Sequence, residues 1–178
     1  GAGLRILTER TASPAVIGQK AEVLAKYPKA QWVEFDSVSY DEAKLGTQMA
    51  FGQALETHYL YDQAEVIFSL DSDFLGLDSP TVQPLKQFSK KRRVSDPKDE
   101  MNRLYVAESN FTMTGAMADN RLRVKSTEAG ALAVSLAFEL NVGNTPFKVL
   151  TAVETDKGKK FIAAVAKDLA AHKVKSIV

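Results

Sequence analysis

Asp71 and Asp73 stand one residue apart at the end of an apolar run, in AEVIFSLDSDFLG at positions 64 to 76. Two carboxylates so spaced after a strand can attack a phosphate ester: one oxygen is the nucleophile, the second acid moves the proton, and Mg²⁺ sits between them. The same D-x-D spacing can hold a nucleotide sugar through a divalent metal. The local alternative is plainer, because short acids at strand ends accept backbone N–H groups and fix the turn or helix that follows.

Other residues offer less chemistry. The haloacid-dehalogenase type of phosphatase carries its D-x-D on the first strand, follows it with Thr or Val, and adds a lysine and a further acidic pair. Here Phe74 follows, the run is the third apolar one, and no later acidic pair ends a strand. The basic run KKRRVSDPK at 90–98 could face phosphate, or it could be the solvated end of a helix, where cations favour the carboxyl terminus. His58 and His172 have no second His or Cys at ligand spacing, so no metal centre is expected. After the first apolar run comes TERTASP, which is neither a dinucleotide fingerprint nor a P-loop.

The elements that must position these residues are legible in the periodicity. Apolar runs at Leu4–Thr8, Trp32–Phe35, Val66–Leu70, Leu104–Val106 and Arg121–Val124 read as strands. Between them lie helical stretches: one capped by Ser13 and Pro14 with Ile17, Ala21 and Leu24 on a face and Pro28 closing it; one from Asp41 to about Gly52 with Leu45 and Met49 together; and a shorter one in 79–93 with Leu85 and Phe88 inward. Ser126 or Thr127 opens a helix with Leu132, Leu136 and Leu140 at i+4 spacing. After a loop with Gly143 and Pro146, Asp156 opens a last helix on Phe161, Val165 and Leu169. Strands alternating with helices predict an α/β fold: a Rossmann-like, three-layer domain with a mostly parallel sheet and helices on both faces. Ligands of such sheets sit beyond the carboxyl ends of the strands, which is where Asp71 and Asp73 fall.

With 178 residues, 45% hydrophobic, the expectation is one domain around one core. Lys and Arg number 23 against 22 acids, so the overall charge calls for no nucleic acid. No Cys is present, which excludes disulfides and any iron–sulfur cluster held by these residues. No run is long enough to span a bilayer. The start GAGLRIL lacks an initiator Met, and KVKSIV reads as a strand that stops before it has a partner. The chain is therefore expected to be part of a longer one.

RLYVAESNFTMTGAMADNRLRVKSTEAGALAVSL at 103–136, with AEVIFSLDSDFLG before it and FIAAVAKDLAAHKVKSIV after it, resembles the molybdopterin oxidoreductase superfamily. In that superfamily one strand leads into a G-x-N loop, the next into a D-P-R-like turn, and an "AD" precedes a short strand and a P-G-t-D turn. The wording LRILTE, SLDSDFLG, MNRLYVAES, TGAMADNRL and STEA is similar to the large iron–sulfur subunits of alternative complex III, bacterial quinol:cytochrome c oxidoreductases. The resemblance implies that these strand ends once bound half of a molybdopterin guanine dinucleotide, and that the ligand positions are lost. The loop glycine falls on Asp71 and the asparagine on Asp73, where two carboxylates would repel a diphosphate. D-P-R falls on Glu108, Ser109 and Asn110, and P-G-t-D on Ser126, Thr127, Glu128 and Ala129.

The resemblance thus implies a non-catalytic scaffold domain with a degenerate site. Its remnant pocket would be lined by Asp71, Ser72, Asp73, Glu108, Asn110, Thr112, Ser126 and Ala129. It also implies iron–sulfur clusters elsewhere in the parent chain, neighbouring subunits of a membrane respiratory complex as partners, and a periplasmic position. Two alternatives stay open: a fragment of an active molybdopterin oxidoreductase that still binds the dinucleotide, and a Mg²⁺-dependent phosphatase using Asp71 and Asp73.

Overall fold

The computed structural model describes residues 1–37, 39–79, 81–143 and 155–178. The chain divides into two compact units, Gly1–Thr57 and His58–Val178, where composition suggested one core.

In the first unit, β1 (Arg5–Thr8) pairs in parallel with β2 (Gln31–Glu34), with α1 (Pro14–Lys26) between them. α2 (Asp41–Phe51) follows and ends on Gly52, whose φ of 77° supplies the left-handed cap that a side chain would resist. Pro14 starts α1 as expected, but the Ser13 side chain makes no capping hydrogen bond. The expected apolar faces are not buried. Ile17, Leu45 and Met49 are all exposed, and no described residue of this unit is fully buried. Two strands and two amphipathic helices bury too little apolar surface to fill a core by themselves.

The second unit is the α/β domain proper. β3 (Val66–Leu70), β4 (Arg103–Glu108), β5 (Asn120–Arg123) and β6 (Ser176–Ile177) form a parallel sheet in the order β5-β4-β3-β6. KVKSIV does find a partner, since Ser176 and Ile177 pair with Val66 and Ile67 at the edge of the sheet. Both faces are covered, as continuous apolar strands require. Val66 and Phe68 of β3, with Tyr105 and Ala107 of β4, pack under α5 (Ala129–Glu139) and α6 (Asp156–Ala171). Ile67, Leu104 and Val106 point the other way, against Tyr61, Phe74, Leu75 and the Phe88 side chain of α3 (Gln83–Lys90). Period-two alternation on a strand buried on both sides thus feeds two clusters.

Leu132 and Leu136 on α5, and Phe161, Val165 and Leu169 on α6, are buried as their spacing predicts. Each such side chain contributes about 1.5–3 kcal/mol relative to exposure. Of the expected pair on α3, Phe88 is buried and Leu85 is exposed. Thr155 caps α6 by accepting from Gly158 N–H at 3.0 Å. The Tyr105 hydroxyl, donating to Asp168 at 2.6 Å, fastens α6 to the sheet. The turn expected at Pro146 lies outside the described residues. Among the described residues no helix is long and apolar enough to cross a membrane.

Candidate functional site

The chain runs outward from β3 through β4 to β5, then returns to place β6 on the other side of β3. Strand order therefore reverses beside β3, and the loop after β3 occupies the crevice position of such sheets. Register brings the neighbouring ends level with it: Leu70 pairs with Ala107, and Glu108 with Arg123. Asp71–Asp73, Glu108–Thr112 and the turn at Ser126 thus leave the same edge of the sheet.

Asp71 is exposed and has φ of 50°, a left-handed conformation that Asp tolerates better than most residues. Its backbone N–H donates to Ala107 O at 2.7 Å, and its carboxylate accepts from the Ser109 N–H at 3.0 Å and hydroxyl at 3.1 Å. The Ser69 hydroxyl holds the same turn by donating to Ser72 O at 2.6 Å. Asp71 is therefore a clasp between the ends of β3 and β4.

Asp73 points into the protein, 9% exposed. It accepts from Thr114 N–H at 3.0 Å, Thr114 hydroxyl at 2.8 Å and Leu77 N–H at 3.0 Å, and its own N–H donates to Asp78 at 2.6 Å. Burial pushes its carboxyl upward, but the Leu77 and Thr114 backbone groups and the Thr114 hydroxyl outweigh it, holding the carboxyl below its ordinary range. A Cβ at Gly76 would run into the same carboxylate, which would have to shift from its hydrogen bonds to make room. The two acids of the D-x-D face different partners. Neither presents both oxygens to a shared cation.

Glu108 is 2% exposed and ion-paired to the Arg121 guanidinium. Its other oxygen accepts from the Thr112 hydroxyl at 2.6 Å, and Thr112 Oγ1 in turn accepts from Gly115 N–H at 3.0 Å, capping the short helix α4 (Met113–Ala116). Arg121 also donates to Asn110 O at 3.3 Å, and its guanidinium lies 4.8 Å from the centre of the Phe111 ring. A buried carboxylate, a cation and a threonine thus complete one another.

No protein-family model matches this chain, and no curated protein matches its sequence. The reading of the edge rests on geometry. Of the candidate residues, the fold joins Asp71 to Ser109, Asp73 to Thr114, and Glu108 to Thr112 and, through Arg121, to Asn110. Ser126 and Ala129 stand apart from these contacts, in a turn closed by Lys125 N–H donating to Glu128 at 3.2 Å. Sequence reasoning missed Thr114, Gly115, Gly76 and Arg121. The T-x-T-G run at 112–115 was the available signal, since a hydroxyl followed by glycine suits a buried carboxylate approached closely by backbone. Among the described residues no group of three or more His, Cys, Asp or Glu is placed to hold a metal ion.

Proposed function

We propose that this chain is a non-catalytic scaffold: a molybdopterin-oxidoreductase-like domain whose dinucleotide site has been closed by its own side chains. The observation that carries the reading is the engagement of every acid at the carboxyl edge. Asp71, Asp73 and Glu108 are satisfied by Ser109, Thr114 and Leu77, and Thr112 with Arg121, respectively. A diphosphate arriving there would meet carboxylates and would have to displace these donors. The left-handed φ of Asp71 supports the ancestry, because glycine, the residue the resemblance puts there, adopts it freely.

The first unit supports a role in assembly. Leu7, Phe35, Met49 and Phe51 are 63–80% exposed, more apolar surface than so small a unit needs to show to water. Its partners in this reading are other domains of its own chain and subunits of a membrane respiratory complex of the alternative complex III kind, on the periplasmic side. Iron–sulfur clusters would sit elsewhere in that chain.

The test is cofactor content and binding. The chain produced in cells that make the dinucleotide cofactor is expected to carry neither molybdenum nor pterin in stoichiometric amount, and calorimetry with guanosine diphosphate is expected to give no saturable heat. Stoichiometric molybdenum, or guanosine diphosphate binding lost on Asp71 substitution, would replace this reading with that of an active oxidoreductase fragment. Mg²⁺-dependent hydrolysis of a phosphate ester, lost in Asp71→Asn, would instead revive the phosphatase.

A further inference from the structure

β2 has an open edge on the side away from β1, since the sheet of the first unit holds only these two strands. Gln31 and Phe35 donate their N–H groups to Leu4 O at 3.1 Å and Thr8 O at 2.9 Å, so strand alternation turns the N–H and C=O groups of Trp32 and Glu34 outward. Such an edge is a template for another strand, and folds that avoid pairing blunt it with proline, lysine or a bulge. Gln31–Glu34 contains no proline or lysine, and its register with β1 runs without interruption.

Beside that edge lies a groove of about 320 Å³. Ile17, Ala21 and Leu24, the apolar face that their spacing makes on α1, line it together with Trp32 of β2. Of the sheet only β2 contributes to the lining, which puts the groove on the flank away from β1. Lys20 and Glu34 also line it, but as an ion pair at 2.6 Å, with the ammonium 6.0 Å from the centre of the Trp32 ring. The Trp32 indole N–H is taken by Thr8 at 3.0 Å, so the ring offers the groove its apolar surface.

Edge and groove together select the occupant. A small apolar molecule would fill the groove and leave the main-chain groups to water. An extended segment pairs with Trp32 and Glu34 and sends alternate side chains in beside α1. A second copy of β2 fits less well, because its side chains on that face, Trp32 and Glu34, are already committed to Thr8 and Lys20.

We propose that the first unit binds an extended segment of another polypeptide by strand addition to β2, with one or two apolar side chains of that segment entering the groove between α1 and Trp32. This rests on the assembly role given to the unit above and names the partner's chemistry: an uncharged stretch of alternating apolar residues whose main chain is free to pair. Cofactor content decides the scaffold reading, and peptide binding decides this one.

The experiment is an NMR titration of the whole chain with short capped peptides that alternate serine with leucine, valine or phenylalanine, and with the same peptides N-methylated at every second amide in either register. At least one plain peptide is expected to shift the Trp32 and Glu34 backbone amides and the Trp32 indole saturably. Methylation in one register should weaken binding about tenfold and in the other much less, since only one set of amides faces β2. Ala21→Glu puts a charge in the groove and should abolish binding. Leu7→Ser, which pairs with Val33 on the opposite face of the sheet, should leave it unchanged. No saturable shift with any peptide would overturn the proposal. Equal affinity for plain and methylated peptides would do the same, marking an apolar groove without strand pairing. A dimer of the chain alone that Ala21→Glu dissociates would give the edge to a second copy instead.

Discussion

Thr114 meets Asp73 twice, through its backbone N–H at 3.0 Å and its hydroxyl at 2.8 Å, and the same hydroxyl oxygen accepts from Leu75 N–H at 3.0 Å. One side chain with no measurable exposure thus closes both the loop after β3 and the start of α4. Thr114→Val keeps the shape but leaves Leu75 N–H without an acceptor and Asp73 short of a donor. A loss of about 1–3 kcal/mol in urea unfolding is expected, with the unfolding slope unchanged. Thr114→Ser should retain most of the stability.

Gly115 packs directly on the Glu108 carboxylate, where a Cβ has no room. Gly115→Ala should cost about 1–3 kcal/mol by overpacking. Arg121→Met strands Glu108 without its cation and should cost about 3–5 kcal/mol. Adding Glu108→Gln to Arg121→Met should recover part of that loss. A double-mutant cycle by chemical denaturation measures the coupling, and strict additivity would show that the pair does not act as a unit.

Asp71 tests the left-handed turn. Asp71→Asn tolerates the conformation and keeps an acceptor for Ser109, so stability should change by less than about 0.5 kcal/mol. Asp71→Val places a β-branched residue at positive φ and should cost about 1–3 kcal/mol. Equal stability of the two variants would mean that the turn relaxes to another conformation.

Acid should unfold the second unit in a defined window. Burial raises the Asp73, Asp119 and Asp168 carboxyls, and hydrogen bonds from Leu77 and Thr114, from Arg92 and Leu104, and from Tyr105 and Arg103 respectively more than offset it, so all three are held below the ordinary range. A folded-state value below the unfolded one gives stability that is complete above the ordinary carboxylate range, about 4, and is lost as pH falls through the lower folded values. Melting temperature measured from pH 7 to 2 should therefore hold until about 4 and then drop. Thr114→Val should flatten the drop.

Trp32 is the one tryptophan, and its indole N–H donates to Thr8 across the β1–β2 pair at 3.0 Å. Its fluorescence reports the first unit, while the far-ultraviolet dichroism reports mostly the second. With no fully buried described residue, the first unit should open at lower urea, so the fluorescence midpoint should precede the dichroism midpoint. Coincident transitions would show that the two units unfold together.

Periodicity alone located β3, α5 and α6, because a strand or helix covered by a core must repeat its apolar residues at the element's own period, as Val66–Leu70 and Phe161, Val165, Leu169 do. It also placed Asp71 and Asp73 at a strand's carboxyl end, but that strand order reverses beside β3 was decided by the assembled sheet. What each acid does was beyond it, since the partners lie about forty residues away: Ser109 for Asp71, and Thr114 for Asp73. The same holds for Ile17, Leu45 and Met49, whose spacing makes a helix face whether or not anything covers it. Local pattern encodes which face is apolar and where a chain must turn. Only the assembled sheet decides that Asp71 clasps the surface, that Asp73 is sealed beneath it, and that the Asn102 amide is buried without a hydrogen-bond partner among the described residues.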